Sequence, residues 1–283
     1  MDRRSAAFAV AAGLALNLYA RADEPAPAHT VTGNLAITSD YRFRGLSQTF
    51  GEGFDPGLAV QGGIDYANAS GFYVGNWDSS LSGVQYPNGS ALEMDFYGGY
   101  KLSSGDTTWD FGTIYYYYPG SEYTGLATAT GGTASATIDE WELYVGATWK
   151  WLSAKYYYSL TDYFGYTEDV VAALCNPDRD CARLARAGDT DGTSYLTASA
   201  AFPASLKLTV TAALGYTWVA GYGDLDYLDY RLGVMRDVSG WMLGATVVGS
   251  NADEDYWYAG PNGDGEVKDI GETTLVLSLM RSF

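Results

Sequence analysis

Along most of the chain, apolar and polar residues alternate one by one. In Leu206 to Trp218, Leu206, Leu208, Val210, Ala212, Leu214, Tyr216 and Trp218 fall on one side. Lys207, Thr209, Thr211, Ala213, Gly215 and Thr217 fall on the other. A period of two marks an extended strand, whose side chains point to opposite faces in turn. Trp141, Leu143, Val145, Ala147, Trp149 and Trp151 oppose Glu140, Glu142, Tyr144, Gly146, Thr148 and Lys150 in the same way. Leu92 to Leu102 and Leu58 to Tyr66 repeat it. The pattern predicts about twelve strands, each near the roughly 9–11 residues that a tilted membrane strand needs. The first runs from Gly33 to Gly45, with Leu35, Ile37, Tyr41 and Phe43 on its apolar side. The last runs from Gly271 to Phe283, with Leu275, Leu277 and Leu279 on its apolar side.

A soluble sandwich or lipocalin also alternates, with its apolar face inward. The connections separate the cases. Short turns at 68–71, 103–106, 152–153, 203–205 and 238–240 alternate with long connections at 47–56, 82–90, 119–138, 162–193, 219–225 and 251–270. Short turns then gather on one rim and long loops on the other, as in transmembrane barrels. The aromatics sort likewise. Tyr66, Phe72, Tyr100, Trp109, Trp149, Trp151, Tyr156 and Phe202 lie near short turns; Trp77, Tyr115, Tyr117, Trp141, Tyr158, Tyr216 and Trp218 lie near long loops. Two girdles of amphipathic rings at two interfaces follow. Lipid offers no partner to a backbone N–H or C=O, so such a sheet must close on itself. The predicted fold is an all-β, transmembrane, antiparallel up-and-down barrel, with the last strand paired to the first.

The ends fit this picture. Arg3 and Arg4 precede a short apolar stretch, Ala6 to Leu18, and Ala20-Arg21-Ala22 has the small-x-small form of a cleavage site. Residues 1–22 therefore read as a secretory signal, residues 23–32 as a periplasmic linker, and residues 33–283 as the barrel. The C-terminal Phe283 reads as a signal to the barrel-assembly machinery. Mean hydropathy is near neutral at −0.12, as expected when alternation hides apolar surface. The net charge is −18, and loss of residues 1–22, which carry three Arg and one Asp, takes it to −20. Such acidity argues against nucleic acid as a partner. Expected partners are outer-membrane lipid, lipopolysaccharide and small solutes, with no cofactor.

The segment Asn34-Leu-Ala-Ile-Thr-Ser-Asp-Tyr41-Arg-Phe-Arg-Gly45-Leu-Ser-Gln-Thr49 resembles the opening of the TorF-like porins, a proteobacterial outer-membrane family catalogued without known function. Gly62 to Tyr66, Ser70 to Trp77, Leu92 to Tyr100, Tyr115 to Gly120 and Ala154 to Ser159 continue the resemblance. It implies an outer-membrane barrel and a pore. The loops 119–138 and 162–193 are longer than the family pattern.

Candidate pore-lining residues are the charged positions between lipid-facing ones: Asp40, Arg42, Arg44, Asp65, Asp78, Glu93, Asp95, Lys101, Glu140, Glu142, Lys150, Lys155, Lys207, Asp229 and Arg231. Arg42 and Arg44 against Glu93, Asp95, Glu140 and Glu142 form the expected selectivity region, because opposed charges across a narrow lumen select solutes by their field. About twelve strands lie between the side-chain-filled barrel of eight and the open channel of sixteen to eighteen. The interior is therefore expected as a narrow channel, with a plugged barrel acting through its loops as the alternative. Cys175 and Cys181 are expected to form a disulfide, as is usual in an exported chain. Acidic loop clusters such as Asp253, Glu254 and Asp255 match no spaced Ca²⁺ signature, and no metal site is expected. Catalysis is not expected either: the sole histidine, His29, precedes the first strand, away from the outer rim.

Overall fold

Alternating β-branched, aromatic and small residues suit a pleated sheet with two different faces, and the chain forms one closed sheet. The computed structural model describes residues 7–11, 14–18, 28–50, 57–82, 86, 89, 91–128, 131–174, 188–204, 207–259 and 268–283, with side chains from residue 28 onward. Twelve strands make the barrel: β1 (His29–Thr38), β2 (Ala59–Asn68), β3 (Phe72–Ser80), β4 (Leu92–Ser104), β5 (Thr107–Ala127), β6 (Thr133–Trp149), β7 (Leu152–Ser159), β8 (Ser194–Pro203), β9 (Leu208–Trp218), β10 (Tyr227–Val238), β11 (Trp241–Ser250) and β12 (Thr274–Ser282). Each pairs antiparallel with the next in sequence. β12 returns to β1, from Ser278 opposite Thr38 to Ser282 opposite Asn34. Two backbone hydrogen bonds between Gly33 and Phe283, 2.8 and 2.9 Å long, carry the closure to the last residue. No edge is left to satisfy, as hydrocarbon surroundings demand.

The outer wall is apolar. Leu35, Ile37, Val60, Ile64, Val74, Leu214, Leu232, Leu275 and Leu277 are all exposed. Rings flank this band. Phe72 packs edge-on to Tyr100 and Trp151 lies tilted on Phe202 at the short-turn rim; Tyr115 stacks on Tyr117 and Tyr216 lies tilted against Trp218 toward the long-loop rim. One expected member of the second girdle departs. Trp77 is buried inside the barrel against Tyr41, with ring centroids 5.3 Å apart. Its parity on β3 is that of Tyr73 and Ser79, which face in, whereas Phe72 and Val74 face out.

Three boundaries differ from the sequence reading. β1 begins at His29 and stops at Thr38, so Tyr41, Phe43 and the charges between them are not on the wall. Much of the expected loop 119–138 is strand: β5 and β6 run on together past the barrel, with Ala127 opposite Thr133, through two register irregularities. Residues 162–193 carry a short 3₁₀ turn (Tyr163–Gly165) and a helix α1 (Glu168–Leu174). Cys175 and Cys181 lie outside the described residues, as do most of residues 1–22, whose described part is a backbone hairpin pairing Ala7–Ala11 with Leu14–Leu18.

Candidate functional site

Beyond Thr38 the chain turns into the lumen. Arg42–Phe43 and Leu46–Ser47 pair as a tiny hairpin. Its two central residues, Arg44 and Gly45, both have positive φ, 46° and 84°, the conformation that a tight two-residue hairpin turn requires. Gly45 is needed twice over, because a Cβ there would lie 2.8 Å from the Asp229 Cβ and 2.9 Å from the Gly249 carbonyl. Asp40 organises the base of the hairpin: it accepts hydrogen bonds from the Ser47 and Thr49 hydroxyls at 2.7 and 3.1 Å and from Arg42 Nε at 2.5 Å. Arg42 also donates to the Ile270 and Glu272 carbonyls at 2.8 and 3.0 Å, tying the hairpin to the chain entering β12.

The hairpin tip carries Arg44 to the centre. Its Nη2 donates to both oxygens of Glu142 at 2.7 Å, a charge-assisted contact made through one nitrogen of the guanidinium. The rings of Phe43, Tyr157, Tyr163 and Tyr195 surround the cation, the nearest centroid 4.4 Å from Cζ. Above it the loops build a core of their own. Leu46 and Phe50, Tyr163 and Val171, Val219, Tyr222 and Leu225, and Trp257 and Ile270 come from four different long connections and pack together with Tyr227. Burial pushes the Tyr163 and Tyr166 hydroxyls up, so both phenols stay neutral. A second cluster, including Tyr41, Phe43, Trp77, Ile114, Tyr116, Tyr118 and Ile138, fills the lumen beside it. The long-loop half of the barrel is thereby packed.

The short-turn half is hollow. A cavity of about 800 Å³ runs from the rim turn at Asn68–Gly71, past Trp151 and Ser153, up to Phe43, Arg44 and Tyr116. Its charged lining residues are Arg42, Arg44, Lys101, Lys155 and Arg231 against Asp65 and Asp110. Both carboxylates are occupied: Asp65 accepts from the Tyr97 hydroxyl at 2.5 Å, and Asp110 from the Tyr73 hydroxyl at 2.6 Å and from Lys155 Nζ at 3.1 Å.

The model of the Gcw_chp family, described as bacterial protein of unknown function, matches residues 22–283. The chain belongs to this family. No curated protein matches the sequence. Among solved structures, this Gcw_chp chain is similar to a KdgM porin at 9% identity, over 89% of this chain and 99% of that one, with a TM-score of 0.48. It is similar to a NanC porin at 9% identity, over 90% and 99%, with a TM-score of 0.45. OmpT of Vibrio cholerae, expressed in the outer membrane, is similar at 12% identity over 92% and 99%, with a TM-score of 0.41. The fold of the Gcw_chp chain rests on its own twelve-strand closure.

Asp40 sits at the base of the hairpin, and the structure places the other expected lumen residues in four groups. Arg42, Arg44, Asp65, Lys101, Lys155 and Arg231 line the cavity. Glu93, Asp95, Glu140, Glu142 and Asp229 face inward but are wholly buried in the packed half. Glu93 accepts from the Tyr41 hydroxyl at 3.2 Å, and Glu140 from the Ser159 hydroxyl. The expected ring of Arg42 and Arg44 against Glu93, Asp95, Glu140 and Glu142 is therefore a closed knot around Arg44 rather than an open constriction. Asp78 is a correction. It shares the outward parity of Phe72 and Val74, and Asn76 beside it donates to it at 3.0 Å. Lys150 and Lys207 are corrections too. Both are exposed in short turns with positive φ, 56° and 60°, because a turn between adjacent strands needs a left-handed residue. Sequence reading missed Asp110 and the inward tyrosines Tyr73, Tyr157 and Tyr195, while Tyr144 lies on the inward face it was given. The signal was present in the runs Trp109-Asp110-Phe111 and Tyr156-Tyr157-Tyr158, where only the middle residue has lumen parity.

Proposed function

We propose that this chain is an outer-membrane channel for passive diffusion of small hydrophilic solutes, narrowed by the inward segment 39–50. The observation that carries the reading is the charged cavity of about 800 Å³ within a closed barrel whose outer wall is apolar. A lumen lined by Lys, Arg, Asp and Tyr contributes nothing to lipid contact, and a barrel serving only as an anchor has no use for it. In this reading residues 1–22 direct export, lipopolysaccharide surrounds the long loops, and Phe283, whose ring is exposed, engages the assembly machinery. The disulfide between Cys175 and Cys181 belongs to the same reading. No catalytic role is assigned. His29 stands at the short-turn rim, its Nδ1 2.7 Å from the Tyr66 hydroxyl, at the far end of the barrel from the carboxylate pairs.

The alternative is a closed barrel that acts through its surface loops. The observation in its favour is the loop cap, which has a hydrophobic core of its own. Liposome swelling separates the two. Proteoliposomes of the refolded protein are expected to swell in arabinose faster than in sucrose, with rates falling as the sugar grows. Swelling no faster than that of empty liposomes, with the barrel folded, would favour the closed reading.

A further inference from the structure

Side chains on a strand ordinarily stand roughly perpendicular to the sheet, and upright tyrosines would fill the hollow half of this barrel. Several instead lie against the wall, over glycines. Asp65 of β2, Gly75 of β3 and Tyr97 of β4 form one row, with Gly75 directly opposite both. Asp65 and Tyr97 line the cavity. The Tyr97 hydroxyl reaches across Gly75 and donates to Asp65 Oδ1 at 2.5 Å, so the phenol spans the intervening strand. A Cβ on Gly75 would stand 2.5, 2.6 and 2.6 Å from Cε2, Cζ and the hydroxyl oxygen of Tyr97. Three nearly equal distances to consecutive atoms mean that the ring turns its face, not its edge, to the glycine.

A second row repeats the arrangement. Tyr73 of β3, Gly99 of β4, Gly112 of β5 and Tyr144 of β6 stand opposite one another in turn. Tyr73 crosses Gly99 and donates to Asp110 of β5 at 2.6 Å. Tyr144 comes over Gly112 from the other side, and the two hydroxyls meet. A Cβ would lie 2.6 Å from the Tyr73 hydroxyl oxygen at Gly99 and 2.5 Å from Tyr144 Cζ at Gly112. None of the three glycines has positive φ, so space rather than backbone conformation calls for glycine here. Over the flattened rings lie cations of the cavity, Lys101 Nζ 4.7 Å from the Tyr73 centroid and Lys155 Nζ 3.7 Å from that of Tyr144. We propose that Gly75, Gly99 and Gly112 set the bore of the cavity, and with it the size of solute that passes, by letting Tyr97, Tyr73 and Tyr144 lie flat. The inference rests on the channel reading for its solute, but the contact of ring with glycine can be measured without any flux.

Gly75 is the position to test, because the three atoms nearest a Cβ placed there all belong to Tyr97. The full chain is refolded in lipid as the native protein, Gly75→Ala, Tyr97→Ala and the double variant, with folding checked by heat-modifiable migration in gels. Gly75→Ala is expected to lower the urea midpoint and to reduce single-channel conductance about twofold, because the ring must leave Asp65 and rise into the lumen. Made in the Tyr97→Ala background, the same exchange is expected to change neither. Gly98→Ala is the control: its Cβ would meet nothing nearer than 3.3 Å, and it is expected to behave as native. Should Gly75→Ala fail to fold, the double variant is expected to fold, and its failure would overturn the inference. So would an equal loss of stability with and without the Tyr97 ring, or native conductance in folded Gly75→Ala. A native protein that stays silent while the stability coupling holds would remove the channel reading and leave the glycines as what keeps the cavity hollow; conductance steps without that coupling would do the reverse.

Discussion

A guanidinium removed from water loses several kcal/mol of hydration, and only a well-formed partner returns it. Arg44 has such a partner in Glu142 and an aromatic box around its cation. Removing one member leaves the other buried and unpaired. Arg44→Met is therefore expected to destabilise the folded barrel by about 3–5 kcal/mol, read as a lower midpoint for unfolding in urea from lipid vesicles. Arg44→Met combined with Glu142→Leu is expected to recover most of that loss, since two apolar residues leave no stranded charge. A double variant no more stable than the single one would show that the pair is not the linchpin of the plug. Gly45→Ala is expected to cost about 1–3 kcal/mol, from its positive φ and from the closeness of Asp229 and Gly249. Residue-level chemistry was only partly legible in the sequence. The charged types were visible, but the partner of each depends on a turn at Arg44 and Gly45 that period-two alternation does not encode.

Strands were the most legible elements, because lipid outside and water inside impose opposite demands on successive residues. Leu214 and Thr197 show the contrast: Leu214 is exposed on the outer wall of β9, while Thr197 of β8 lines the cavity. Leu214→Arg is expected to cost about 2–4 kcal/mol in bilayer stability if it sits near the midplane, whereas Thr197→Arg is expected to fold with little loss. Similar losses for both, measured by the same urea unfolding, would contradict the assignment of faces. The boundaries were less legible. Tyr41 and Phe43 keep the phase of Leu35 and Ile37, so alternation continues through the point where the chain leaves the wall. The Thr, Ala and Gly of residues 124–137 read as loop, yet the backbone pairs on as a hairpin beyond the barrel. Asp78 and Trp77 exchange their expected faces because parity on β3 is set by its register with β2 and β4, where Gly63 and Asp95 lie opposite Trp77.

Across the whole molecule, charge is sorted along the barrel axis. The chain carries 34 acidic and 16 basic residues, yet the cavity wall shows mainly Lys and Arg, while inward carboxylates such as Glu93, Glu140 and Asp229 are sealed in the packed half. Composition gives the acidic total and cannot reveal this division, which arises from folding one loop inward. Reversal potentials in a gradient of potassium chloride are expected to favour chloride, with the preference falling in Lys101→Gln combined with Arg231→Gln; a cation preference would mean that the buried carboxylates govern the path instead. The central claim is that the inward segment 39–50 narrows the lumen. Single-channel recording tests it directly, comparing the native protein with a variant in which Tyr41–Phe50 is replaced by a Gly-Ser linker of equal length. The expected result is small steps from the native barrel and severalfold larger ones from the variant. Two folded barrels that conduct alike, or that both stay silent, would contradict it.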